Sequence, residues 1–424
     1  MLALLLFGSF FLFIFLNIPV AVSLGLSALI GLLVGGFPFS MFPSIMYASV
    51  GKFALLAIPF FVLAGAIMEY AGISRRLVDF AKVCVGHKKS GLISVSVIVC
   101  CFFAAISGSG PATVAALGTI LIPAMAKAGH DRGMASALLS SAGAIGIIIP
   151  PSIAFVVYAS VTDTSVGDLF MAGIIPGILV GVAYVIAALF DARKNKNIVM
   201  LPKASRAECW KAFKEAFWGL LTPVIILGGI YGSVFTPTEA AGVAVIYGLF
   251  VGIFIYKEIK PKQLWRVFVD AAISSATIMY IIACAAVFAW VLTTSNLAAE
   301  LSALILSVSD NKIIILLIIN LVFLIAGCFL DANSAFYILL PIMVPVLNAM
   351  GVDLVHAGVF LTVNMAIGLI TPPVGINLYV ACRVGEVSVP TICRKIVPFL
   401  IAGILSLLLI TYVPQISLFL TNLL

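Results

Sequence analysis

Read from its N-terminus, the chain alternates long apolar runs with short polar or Gly- and Pro-rich breaks. Apolar runs fall near 2–16, 18–36, 53–71, 134–160, 169–192, 218–235, 240–256, 265–293, 357–380 and 396–419. A helix needs ~20 apolar residues to cross a hydrocarbon core of ~30 Å, so these runs predict membrane spans. Two further segments, 92–127 and 312–350, are interrupted by polar residues near their middles and predict stretches that leave and return on one side. In lipid a helix satisfies its own backbone, and the predicted fold class is an all-α polytopic membrane protein.

Composition sharpens this picture. Of 424 residues, 63% are hydrophobic and 9% charged, with mean hydropathy +1.28. That balance excludes a soluble enzyme, a nucleic-acid binder and a disordered chain. The net charge of +7 reads as a topology signal beside apolar spans rather than as a nucleic-acid footprint. Met1 to Phe7 are apolar and the first cation is Lys52, so the charged start of a signal peptide is missing and residues 2–36 read as retained spans. The cysteines form no C-x-x-C pair, and His87, His130 and His356 lie far apart. No transition metal, haem, iron–sulfur cluster or other cofactor is expected, nor a structural disulfide, since the predicted topology puts no cysteine in an outward loop.

Lys and Arg gather in five places, around 75–89, 127–132, 193–214, 257–266 and 383–395, leaving only Lys52 and Lys312 elsewhere. If the five clusters are cytoplasmic, the spans alternate without conflict and the N-terminus lies outside. The chain also repeats itself at an offset of 222 residues: Ala144 to Pro151, AIGIIIPP, matches Ala366 to Pro373, AIGLITPP. At the same offset Leu117 matches Leu339, Ile120 matches Ile342, Pro123 matches Pro345, Gly129 matches Gly351 and Asp131 matches Asp353. One copy begins inside and the other outside, so the repeats are inverted, the signature of a secondary transporter that works by alternating access.

Each repeat predicts a helical hairpin followed by a broken helix. In the first, arms 92–106 and 112–126 flank Ser107-Gly-Ser-Gly-Pro111; at ~1.5 Å per residue each reaches about 22 Å, too short to span. The second hairpin is placed mainly by the repeat, which sets Asp331-Ala-Asn-Ser334 opposite Ser109-Gly-Pro-Ala112. Charge counting cannot separate a re-entrant hairpin from two full spans. The Pro-Pro pairs break the following spans and should leave carbonyls near Gly146–Ile149 and Gly368–Thr371 without helical partners. With the hydroxyls of Ser107, Ser109 and Thr371 and the amide oxygen of Asn333, these offer hard oxygen ligands suited to Na⁺. Half-helices starting near Ala112, Ser152, Ser334 and Val374 present N–H groups that could hold a carboxylate with no buried cation.

Plainer roles compete at several positions. The Pro-Pro pairs could be structural kinks, and Asp331 either a tip residue near an ion or a helix N-cap. Asp131 and Asp353 suit capping of the next helix. Gly173, Gly177 and Gly181 allow close helix packing, within the chain or at a subunit interface. Trp210, Phe213 and Phe217 share one face of 206–218, which predicts an interfacial helix on the cytoplasmic surface. The stretch 74–90 predicts another, and either could brace a moving domain.

The residues resemble the large membrane subunit of tripartite ATP-independent periplasmic (TRAP) transporters. The likeness spans nearly the whole chain: Ile58-Pro-Phe-Phe-Val-Leu-Ala-Gly65, Gly86-His87, Ser107-Gly-Ser-Gly-Pro-Ala-Thr113, Pro150-Pro-Ser152, Thr236-Pro-Thr-Glu-Ala-Ala241 and Gly368-Leu-Ile-Thr-Pro-Pro-Val-Gly-Ile-Asn377. The sequence departs from the pattern at Gly110, where serine is usual, at Ser90, where glycine is usual, and at His130, where tyrosine is usual.

The resemblance implies a Na⁺-coupled importer of an organic acid, of sialic acid or C4-dicarboxylate class, in the bacterial inner membrane, working by an elevator motion. Its partners would be a separate small four-helix membrane subunit, a periplasmic binding protein and membrane lipid. The mobile transport domain would comprise 92–160 and 312–381. Scaffold helices and cytoplasmic arms would occupy 1–91 and 161–311, and 382–424 a C-terminal helix. Carried over by position, the ion sites fall on Ser107, Gly108, Ser109 and Gly110 with the first broken span, including Gly146. A second set falls on Asp331, Ala332, Asn333 and Ser334 with Gly368, Thr371 and Pro372. Substrate would lie near Thr113, Pro151, Ser152, Gly375 and Asn377. The runner-up is a stand-alone Na⁺-coupled di- or tricarboxylate elevator, whose tips would read Ser-Asn-Thr. No nucleophile–base or metal constellation supports an intramembrane enzyme, and a purely structural subunit would not need matched helix breaks.

Overall fold

A computed structural model describes residues 2–87, 91–192 and 203–423; Lys88, Lys89, Ser90, Arg193, Lys194 and Lys196 lie outside the described residues. All regular structure described is helical. The chain opens with α1 (Leu2–Phe15), α2 (Val20–Val34), α3 (Met41–Val50), α4 (Ala57–Tyr70) and α5 (Ile73–Val85). The first repeat follows as α6 (Gly91–Ser107), α7 (Gly110–Lys127), α8 (Arg132–Ala144) and α9 (Ile153–Thr162). Next come α10 (Val166–Ala192), α11 (Arg206–Tyr231), α12 (Pro237–Phe250), α13 (Pro261–Thr294) and α14 (Leu297–Leu306). The second repeat is α15 (Lys312–Gly327), α16 (Ala332–Ala349), α17 (Leu354–Gly368) and α18 (Ile376–Gly385), and α19 (Val389–Tyr412) and α20 (Pro414–Leu418) close the chain.

The offset seen in the sequence recurs in the elements. Adding 222 to the bounds of α7 gives those of α16, and α8 and α17 start in the same register. Asp131 and Asp353 both cap the helix that follows, accepting the N–H groups of Met134 at 3.1 Å and His356 at 2.9 Å. Gly129 (φ +90°) and Gly351 (φ +59°) make the preceding turns, a backbone shape glycine adopts freely. Around this frame the core is aromatic, with Tyr158, Phe323, Phe336 and Phe360 fully buried and Phe336 in contact with both Tyr158 and Phe323. Large apolar side chains such as Leu12, Phe15, Phe190 and Phe254 face outward, as lipid contact requires.

Two expectations are corrected, the length of the first hairpin's arms and the extent of the 206–218 helix. The first hairpin's arms are longer than fifteen residues, with 17 in α6 and 18 in α7, and the second hairpin has 16 in α15 and 18 in α16. By length and hydropathy α7 and α16 stand among eight described helices able to cross a membrane. The short helices α3 and α14 were not anticipated, because a search for spanning lengths passes over ten-residue elements. The stretch 206–218 is not a separate surface helix. A capping box between Ser205 and Glu208 starts it, and it runs unbroken into the apolar part of α11. Its first turns pack on α5 through Phe80 and Phe213, ring centroids 5.8 Å apart. The glycine stripe of α10 serves packing inside this chain. A Cβ on Gly173 would lie 2.7 Å from the carbonyl of Ile148, and one on Gly177 2.5 Å from Ile149.

At the exit of the first hairpin, burial pushes the Asp131 carboxyl up. Lys395, with its ammonium 3.1 Å away, and the N–H groups of Met134 and Gly133 outweigh this and hold it below its ordinary value. Burial pushes the neighbouring His130 imidazole below its ordinary value, and its Nε2 has no hydrogen-bond partner. Because its folded value is depressed, the unfolded chain takes up the proton first as pH falls below ~6.5, and stability is lost from there down to the folded value. His130→Tyr should therefore reduce the drop in unfolding temperature between pH 7.5 and 5.5, as followed by fluorescence thermal scans. An unchanged drop would exclude His130 as a source of the acid sensitivity.

Candidate functional site

At the first tip, α6 ends at Ser107 and Gly108 turns the chain with φ +59°. A Cβ on Gly108 would lie 2.7 Å from the carbonyl of Pro151, so glycine is required twice, by conformation and by space. Ser109, in extended conformation, leads into α7, and Pro111 sits in the first turn, where its missing N–H costs nothing. The Thr113 hydroxyl donates to the Ser109 carbonyl at 2.8 Å and lies 2.9 Å from the Ser107 hydroxyl. Gly146 closes in from the other side, where a Cβ would lie 2.9 Å from the Ser109 carbonyl and 3.0 Å from Thr113 Oγ1.

The first break has a short 3₁₀ turn, Ile145–Ile147, after α8 and a cis Pro150–Pro151 bond. Ser152 then caps α9: its hydroxyl accepts the Phe155 N–H at 3.3 Å and donates to the Ile147 carbonyl at 2.5 Å. Ser107, Gly108, Ser109, Gly110, Thr113, Gly146, Pro151 and Ser152 thus gather around one tip and one break.

The second repeat builds the counterpart with different chemistry. Asp331 caps α16, one carboxylate oxygen accepting the Asn333 N–H at 3.1 Å and the other the Ser334 hydroxyl. Ala332 and Ser334 are buried, and the buried amide oxygen of Asn333 has no hydrogen-bond partner. Backbones touch where α15 crosses α17. A Cβ on Gly368 would lie 2.5 Å from the Cα of Gly327 and 2.9 Å from its carbonyl oxygen. Beyond the cis Pro372–Pro373 bond, Gly375 (φ +49°) starts α18. The Thr371 hydroxyl donates to the Ile367 carbonyl at 2.7 Å.

The expected supply of free carbonyls is reduced. The Gly368 carbonyl accepts the Thr371 N–H at 3.0 Å, and the Leu369 carbonyl accepts the Asn377 N–H at 3.1 Å. The chain meets the cost of broken helix bonds largely with its own groups, as buried backbone must. The half-helices begin at Gly110, Ile153, Ala332 and Ile376, within two residues of the expected starts.

Among the contacts between the two repeats, one involves the first tip. A Cβ on Gly110 would lie 3.2 Å from both amide atoms of Asn377, which is fully buried, donates from Nδ2 to the Ser140 carbonyl at 3.1 Å and leaves Oδ1 unpartnered. The glycine at 110, where serine was the expected residue, makes room for this amide. No hydrogen bond among the described residues joins Asp331–Ser334 to the first tip, although Gly110 of that tip packs against Leu369 and Asn377 at the second break.

Sequence reasoning missed two polar features. Asn364 donates to the carbonyl and amide oxygens of Asn320 at 2.8 and 3.1 Å, and Asn320 donates to Thr411 at 3.1 Å. A lone amide in each apolar run was the available signal. Lys52, an outlier in the cation count, reaches the Ser160 carbonyl at 2.5 Å.

With this geometry in view, residues 7–416 match the family model described as the DctM component of the tripartite ATP-independent periplasmic transporter. The chain is 42% identical over 377 residues to the C4-dicarboxylate TRAP transporter large permease protein DctM of Pseudomonas aeruginosa, covering 89% of this chain and 88% of that one. It is 39% identical over 378 residues to the sialic acid TRAP transporter large permease protein SiaM of Vibrio cholerae, with coverage of 89% and 88%. Among solved structures it resembles the YdaH transporter of Alcanivorax borkumensis, with TM-score 0.60, 17% identity and 86% of each chain covered, a likeness of fold alone. The match across almost the whole length leads to one conclusion: this chain belongs to the DctM family, the large permease component of tripartite ATP-independent periplasmic transporters.

Proposed function

We propose that the chain carries an organic acid inward across the bacterial inner membrane, coupled to Na⁺, by an elevator motion of its repeat domain. The observation that carries this reading is the paired construction: Gly108 of the first tip packs on Pro151 of the first break, and Gly327, one turn before the second tip, packs on Gly368 of the second break. Oxygen-rich tips beside interrupted helices suit a hard monovalent cation. Ser107, Ser109 and the Gly108–Gly110 backbone would serve the first Na⁺. Asp331, Asn333, Ser334 and Thr371, with the backbone at Ala332, Gly368 and Pro372, would serve the second. The substrate carboxylate would lie between Thr113, Pro151, Ser152, Gly375 and Asn377, held by the N–H groups of half-helix N-termini. The shared feature of C4-dicarboxylates and sialic acid is that carboxylate.

Packing supports a larger moving body than 92–160 with 312–381. Helices α10 and α19 pack on each other and on α8 and α17, while α1–α4 and α11–α13 pack mainly among themselves and meet the repeats chiefly where α13 lies against α16. We therefore place α10 and α19 with the mobile repeats and leave the second group as scaffold. The small membrane subunit and a periplasmic binding protein complete the assembly, with the N-terminus periplasmic.

Proteoliposomes holding this chain and its small subunit test the reading with labelled succinate and N-acetylneuraminate. Uptake of one acid should require both an inward Na⁺ gradient and the cognate binding protein. Uptake indifferent to the binding protein would favour a stand-alone carrier, and uptake indifferent to Na⁺ would exclude the ion sites at the tips.

A further inference from the structure

Lys52 is, with Lys312, one of two cations outside the five clusters. It precedes α4, whose far end leads to Arg75 and Arg76 of the first cation cluster, so it sits at the opposite end of that helix. Its ammonium donates to the carbonyl of Ser160 at 2.5 Å, in the last turn of α9, where helical carbonyls lack N–H partners and the helix end is electronegative. None of the ion pairs among the described residues includes Lys52, which stays exposed and free to meet an anion. The side chain also lines an open cavity of about 580 Å³ with Ser49, Thr293, Thr294 and Tyr337 beside apolar Ile45, Val161 and Trp290. Its walls come from both bodies: α3 and α13 on one side, the end of α9 and Tyr337 of α16 on the other. Within it the Tyr337 hydroxyl lies 3.2 Å from that of Ser160.

A cavity that sets one ammonium without an ion-pair partner, and no carboxylate, among apolar walls from Ile45, Val161 and Trp290 suits an anion with an apolar body. Its volume falls within the range of small-molecule sites. We propose that this cavity is an outer-side arrival site for the substrate carboxylate, and that Lys52 holds the carboxylate by exchanging it for the Ser160 carbonyl. A carboxylate adds the attraction of a full opposite charge to a hydrogen bond that the carbonyl meets only with its dipole, so the exchange favours the ligand. The same exchange removes the tie between the scaffold corner at Lys52 and α9, the half-helix that starts at Ser152. Arrival of the anion would thereby release the mobile body at the moment the body has something to carry. The sidedness and the two bodies rest on the proposed function, whereas the attraction of an anion to the cavity rests on Lys52 alone.

The test uses the full chain with its small subunit in Na⁺-free liposomes, with Thr293→Cys as reporter and the chain without that cysteine as background. Thr293→Cys should react with an anionic methanethiosulfonate about tenfold faster than with a neutral one. Lys52→Gln should abolish that excess, and Lys52→Arg should retain it. Millimolar succinate or N-acetylneuraminate should slow labelling at least threefold with Lys52 present and have no effect in Lys52→Gln. Labelling indifferent to reagent charge, or unaffected by both acids, would overturn the proposal. Because no transport is needed, charge-selective and acid-protected labelling alongside Na⁺-independent uptake would sink the transport reading and leave the site. Na⁺-driven uptake with charge-blind labelling would do the reverse.

Discussion

Gly368→Ala is expected to abolish Na⁺-driven uptake and to lower the unfolding temperature of the purified protein. The Cβ it adds would lie 2.5 Å from the Cα of Gly327, 2.7 Å from its carbonyl carbon and 2.9 Å from its oxygen. All three are backbone atoms, so no rotamer change relieves the clash and α15 must move away from α17. Overpacking of this kind costs about 1–3 kcal/mol or more. The displacement also falls one turn from Asp331 and three residues before Thr371, which distorts the second tip and its break together. Gly228→Ala is the control, since a Cβ there meets nothing within 4 Å and alanine suits a helix better than glycine. If Gly368→Ala transports and melts like the unaltered chain, the close crossing of the two helices is wrong.

Asp331→Asn is expected to raise the Na⁺ concentration for half-maximal uptake roughly tenfold, equivalent to about 1.4 kcal/mol, with little change in thermal stability. The amide can still accept the Asn333 N–H that Asp331 accepts at 3.1 Å, so the cap on α16 survives while the charge is lost. Asp331→Ala removes both, and should add about 1 kcal/mol of lost stability to the Na⁺ effect. The pair of variants separates the two roles of this residue. A Na⁺ dependence unchanged in Asp331→Asn would reduce Asp331 to a helix cap and remove it from the ion site.

These two residues show how differently parts of the site could be read. Asp331 was visible because an ionisable residue in an apolar stretch is costly and needs a reason, yet ion ligand and N-cap could not be told apart by sequence, since both place a short carboxylate before a helix. Gly368 entered only as one letter of a repeated motif. That it faces Gly327 from another helix, and that the contact is backbone on backbone, follows from how α15 and α17 cross. Asn377 was expected near the substrate from its match to a family motif. Its position against Gly110, across the two repeats, was not legible, because nothing in either segment alone specifies the other as neighbour.

Sequence by itself determined the helical class, most of the spans, the 222-residue repeat, the helix breaks and the caps at Asp131 and Asp353. Each is a local matter of apolar run length, missing N–H groups and side chains that hydrogen-bond within three residues. The tertiary structure decided which broken carbonyls are satisfied, and so which oxygens stay free. It decided that α11 continues unbroken from its amphipathic start, that the α10 glycines serve internal packing, and that Lys52 meets the end of α9. Those outcomes depend on which surfaces meet across more than a hundred residues of chain, as Lys52 and Ser160 do, and contact at that range is set by the packing of whole helices rather than by any residue's own preference.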